Sequence, residues 1–194
     1  MTDSDDWAPT WPVDLDGIIE TVVTTRRPNG RWNVAALGLS TGDPVTARTW
    51  GDTRTRRNFH REGEGVVQFV DDPVAFVEAA LDVREEDDPV LADAAAWVRV
   101  AVESLATGED DGTTWENWAL EPVASDIRRR TVPTIDRGFN AVVEATIVAS
   151  RLGVPAYDDT VLRERLAFFE ETAHRCGGER ERKAISRLRD LMER

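Results

Sequence analysis

The sequence predicts an α+β protein, rich in strands over its first two thirds and helical in its last third. Three observations carry this. Ile18–Thr25 is dense in β-branched residues and runs into Arg27-Pro28-Asn29-Gly30, where Asn-Gly is a strong hairpin signal. Further on, Val98, Val100 and Val102 alternate with Arg99, Ala101 and Glu103, a period of two. After Arg128-Arg129-Arg130 the character changes, and Val142, Val143, Thr146 and Ile147 form a helical stripe.

Taken in order, residues 1–16 read as a loose arm, acidic and carrying two prolines, with Trp7 and Trp11 able to tack it onto the body. The first strand pairs through the Asn-Gly turn with Trp32–Leu39. Ser40–Pro44 turns again, and Val45–Trp50 is a third strand ending at Gly51. Asp52 or Thr53 caps a short helix to Glu62, and Gly65–Val70 is a fourth strand. Asp71-Asp72-Pro73 opens a helix over Val74–Leu81, with proline near its first position. Arg84–Pro89 reads as an acidic loop. Ala94–Leu105 fits helix or strand, and its alternation favours a long strand; Thr107–Thr114 reads as a polar loop, and Trp115–Ile127 as the antiparallel partner despite Pro122. Three helices follow: Gly138–Leu152, stopped by Gly153-Val154-Pro155; Val161–His174, capped by Asp159-Thr160 and ended by Gly177-Gly178; and Glu179–Met192. No internal repeat is present.

Composition narrows the class. The chain has 194 residues, 41% hydrophobic and 31% charged, enough to bury a core. No apolar run approaches the ~18 residues of a membrane span, and the N-terminus lacks a signal-peptide layout. A single cysteine, Cys176, rules out an internal disulfide or a multi-cysteine metal site. These features point to the cytoplasm. The net charge of −13 argues against nucleic acid and anionic membranes as partners. Of the 24 basic residues only Lys183 is lysine, leaving 23 arginines. Acidic excess with almost no lysine suits a protein kept soluble in concentrated salt, where at ~1 M the Debye length is only ~3 Å. A GC-rich genome explains the arginines but not the carboxylates.

The stretch Arg48–Gly63 concentrates arginine and threonine at a strand-to-helix turn. Helix starts expose unpaired N–H groups and partial positive charge, which suit phosphate. Two readings fit: an anion site, or a capped surface helix with solvated arginines. Asn33–Gly38 offers small side chains along a strand, either to let a flat ring approach the backbone or to fit a tightly curved barrel. His60 and His174 show no metal-ligand spacing, and there is no Walker loop or GxGxxG. Asp and Glu are too abundant for any pair to stand out. A site without its own acid–base equipment suits a cofactor that brings its own reactivity, such as flavin.

The order IIETVVTTRRPNGRWNVAALGL, VTARTWGDTRTRRNF, VVQFVDDPVAFVEAAL resembles the archaeal DUF447 family, as do RGFNAVVEATIVASRLGV and HRCGGERERKAISRL later on. The resemblance spans residues 17–194. It implies a split antiparallel β-barrel over 17–130 with a C-terminal helical subdomain over 131–194, related to flavin reductase and pyridoxamine-phosphate oxidase barrels. It implies FMN bound at a homodimer interface. Thr53, Thr55 and Asn58, with Arg48 and Arg54 or Arg57, would hold the phosphate. Asn33, Ala35 and Ala36 would lie along the ring, Thr49 and Trp50 would line the pocket, and Asn140 would reach it from the helical part. The reaction implied is that of a flavin-dependent oxidoreductase or flavin reductase, the alternative being a flavin or phosphate-ligand carrier or sensor. No catalytic residue and no metal is assigned.

Overall fold

The computed structural model describes residues 10–132 and 134–194. Trp7, expected to anchor the arm, lies outside them. In chain order the elements are β1 (Ile18–Arg26), β2 (Trp32–Ser40), β3 (Val45–Trp50), α1 (Arg54–Glu62), β4 (Glu64–Val70), α2 (Pro73–Leu81) and β5 (Arg84–Glu86). Then come β6 (Ala94–Asp110), β7 (Thr113–Ile127), α3 (Arg137–Ala149), α4 (Asp159–Cys176) and α5 (Glu179–Met192).

All strand pairs are antiparallel. The order β1-β4-β6-β7-β3-β2 closes on itself through β1–β2, giving a six-stranded barrel with β5 hung on β2. Side-chain alternation decides what faces inward. On β3, Val45, Ala47 and Thr49 are buried while Arg48 and Trp50 are exposed. The interior is built from residues such as Val23, Leu39, Val98, Val100 and Trp118. Trp11 and Leu15 pack against this core, so the described part of the arm is tacked down as expected.

A second core joins α3, α4 and α5, and it takes in Val77 of α2 as well. Helix α2 is shared: Phe76 and Ala79 pack on Val22 and Val34 on the outer face of β1 and β2, while Val77 faces the bundle. The helical layer therefore draws one helix from within the 17–130 segment. Gly138 makes the α3 start fit, since a Cβ there would stand 2.4 Å from Gly177 Cα.

Two expected loops are strand instead. Thr107–Thr114 reduces to Asp111-Gly112, both with positive φ (45° and 77°), as a tight hairpin turn requires. The strands run in register up to it, with Glu109 opposite Thr114 and Asp110 opposite Thr113. Arg84–Glu86 pairs with Trp32–Val34. Its charged composition suits an edge strand, and Arg27 and Arg31 ion-pair with Glu85.

Candidate functional site

Helix α1 lies across the barrel end where β1 and β3 finish and β2, β4 and β7 begin. Thr53 is its N-cap, accepting from Arg56 N at 3.2 Å, and Gly63 ends it in the left-handed conformation. Phe59 enters the barrel core and meets Trp118 edge-on at 5.2 Å. Gly65 makes room for it: a Cβ there would stand 2.9 Å from the Phe59 ring.

Two polar clamps fix α1 on either side of Phe59. On the β1 side, Asn58 Nδ2 donates to Thr25 Oγ1 at 2.8 Å, and Asn58 Oδ1 accepts from Arg61 at 2.9 Å. On the β7 side, Glu116 is 1% exposed and saturated. Its Oε1 accepts from Ser104 at 2.5 Å, and its Oε2 bonds Arg56 Nε at 2.6 Å and His60 Nε2 at 2.9 Å. Burial by itself would raise the Glu116 carboxyl. The bonds from Ser104, Arg56 and His60 outweigh it and hold the group below the usual carboxylate range.

Of the expected ligands, Thr49 points into the barrel, where it accepts from Trp118 Nε1 at 3.0 Å. It braces the core and does not share a face with Arg48 and Trp50. Asn58 is spent on the clamp. Asn33 and Ala35 lie in the inward phase of β2, whereas Ala36 faces outward under α2 and α3, so the three do not form one wall. Asn140 is exposed on the first turn of α3, which packs against α2, α4 and α5, while α1 packs against β1, β2 and β4.

The arginines separate cleanly. Arg56 is bound to Glu116, and Arg57 bonds Asp52 Oδ2 at 2.7 Å. Arg48 donates its Nε to Asn117 Oδ1 at 2.7 Å, on the outer face of the barrel. Arg54, the first residue of α1, has no carboxylate partner among the described residues. Thr55 and Asn33 are 5% and 4% exposed. Neither side chain hydrogen-bonds within the described residues, yet no fully buried polar side-chain atom is left unpaired there. Their polar atoms therefore reach the surface. What remains open at this barrel end is the Thr53 cap, the first N–H groups of α1, Arg54, Thr55 and Asn33. That set suits an oxyanion with a polar group beside it.

The Glu116 clamp was not foreseen. Its signal was present: Glu116, Trp118 and Leu120 share the inward phase of β7, and a carboxylate in that phase needs donors. Two clefts of about 490 Å³ and 330 Å³ lie elsewhere, between α2, β5 and α5 and between α3 and α4, and no expected site residue lines either. Arg129, in the run of three, bonds Asp71 Oδ1 at 2.8 Å.

Fold and site together define a six-stranded antiparallel barrel covered at one end by α1, with the start of that helix as the candidate site. Family models described as protein of unknown function (DUF447) match residues 19–129 (N-terminal domain) and 136–190, and the chain belongs to that family. It is similar to an FMN-bound DUF447 protein from Methanosarcina mazei, at 26% identity over 91% of this chain and 96% of that one, with a TM-score of 0.77. Weaker likenesses link it to a styrene monooxygenase flavin reductase from Pseudomonas putida S12 (19% identity, 58% and 79% covered, TM-score 0.41). A flavoredoxin from Methanosarcina acetivorans is at the same level (12%, 65% and 79%, 0.44).

Proposed function

We propose that this protein binds FMN, with the phosphate at the start of α1. The observation that carries the reading is the division of labour among the arginines: Arg56 and Arg57 are paired with carboxylates, Arg48 is held by Asn117 on the outer face of the barrel, and Arg54 beside the open N–H groups has no carboxylate partner among the described residues. The similarity to an FMN-bound relative along almost the whole chain supports the choice of anion. Thr53, Arg54 and Thr55 hold the phosphate. Asn33, at the same barrel end, bonds the polar edge of the ring. When bound, the flavin supplies hydride or electron transfer. The residues of this chain bind and orient it.

A homodimer belongs to this reading, since a second copy seated on this barrel end would enclose the α1 start. So does a cytoplasmic location, which the single cysteine favours; no described helix is long and apolar enough to cross a membrane. The reaction follows one of two courses, flavin-dependent oxidoreduction or non-catalytic carriage of the cofactor. Steady-state oxidation of a reduced nicotinamide by FMN-loaded protein separates them. Turnover well above that of free FMN marks an enzyme, and turnover equal to free FMN marks a carrier.

A further inference from the structure

On the outer face of β3 and β7, Arg48 lies directly opposite Asn117 and Trp50 directly opposite Trp115. The Arg48 guanidinium carbon is 4.5 Å from the Trp115 ring centroid and 5.4 Å from that of Trp50. Trp115 in turn lies over Gly108 of β6, where a Cβ would stand 2.4 Å from the indole. Arg48 Nε is fixed by Asn117, and its two terminal nitrogens have no acceptor among the described residues. In a chain with 37 acidic residues, an arginine held on two indoles and an amide, yet paired with no described carboxylate, is a preorganised anion fork. Trp50, 45% exposed, supplies a flat apolar surface beside it.

We propose that this clamp binds a planar aromatic compound carrying a carboxylate or phosphate, as the reaction partner of the flavin. The guanidinium takes the anion and the Trp50 indole takes the ring. The role as the flavin's partner rests on the FMN reading, but the binding itself is independent of it. Arg48 is thereby assigned to the second ligand, leaving Thr53, Arg54 and Thr55 to the FMN phosphate.

The test is equilibrium binding of benzoate, benzamide, acetate and nicotinamide mononucleotide to the full chain, with and without FMN, at one fixed salt concentration. Wild-type protein is expected to bind benzoate or the mononucleotide saturably, and benzamide and acetate about tenfold more weakly or worse, since each lacks half of the recognised group. Arg48→Gln should weaken the anionic aromatic by about tenfold or more. Trp50→Ala should weaken it too, with FMN affinity and the circular dichroism spectrum unchanged. Whether benzoate or the mononucleotide binds more tightly separates carboxylate from phosphate as the anion. Arg48-dependent binding in protein that takes up no FMN would leave the clamp standing and remove the flavin reading. Equal binding of benzoate and acetate would overturn the clamp. So would an Arg48→Gln protein that loses FMN by the same factor, or one that changes oligomeric state, since the patch would then be part of the flavin site or a subunit contact.

Discussion

At the scale of single residues, Glu116 is the most exacting position. A buried carboxylate with three donors is stable only while all of them are present. Its pKa is lowered, so its contribution is complete above the unfolded value of 4.5 and is lost as pH falls through the lower folded value. Glu116→Gln should cost about 2–3 kcal/mol at neutral pH, towards the low end for a broken buried pair because Arg56 and His60 can rehydrate. The loss should shrink below pH 4.5, and urea unfolding at two pH values reads both. Glu20 has the opposite sign. Desolvation raises its carboxyl above the usual range, Arg151 opposes and Glu144 adds. Because Glu20 is exposed on β1, solvent screens these interactions, and Glu20→Gln should leave the melting temperature nearly unchanged. Residue identity was read well where the role is local: Thr53 does cap α1. It was read poorly where the role depends on which face of a strand a side chain occupies. Thr49 and Trp50 are neighbours in sequence and lie on opposite sides of the barrel wall.

At the scale of elements, most boundaries were legible because local chemistry fixes them. β3 and α5 fall where the β-branched run and the flanking glycines put them, and Asn29-Gly30 turns as expected. The β6–β7 hairpin was underestimated although Asp111-Gly112 is itself a turn signal, because the polar residues around it suggested a loop. Long antiparallel pairing overrode that local preference. β5 was invisible for a related reason, since an edge strand this short exists only because β2 offers it a ladder. The docking of α1 depends on a glycine that no pattern marks. Gly65→Ala should force Phe59 out of place, cost about 1–3 kcal/mol and weaken FMN binding through α1. Unchanged stability would mean that Phe59 and α1 move aside at no cost.

For the molecule as a whole, the charge of −13 and the near absence of lysine predict a melting temperature that rises from low salt to ~1 M as self-repulsion is screened. A flat profile would contradict this reading of the composition. The barrel and helical layer were foreseeable from the change of period after Arg130, but the sharing of α2 between the two cores was not, because a helix buried on both faces carries no single stripe. The central claim concerns the barrel end that α1 covers, and titration of the purified protein with FMN tests it most directly. Wild-type protein should turn yellow and bind one FMN per chain. Arg54→Gln should bind about tenfold more weakly, and Thr53→Ala with Thr55→Ala more weakly still, with the fold retained. Protein that stays colourless at saturating FMN, or binds it equally well after all three substitutions, would contradict the account.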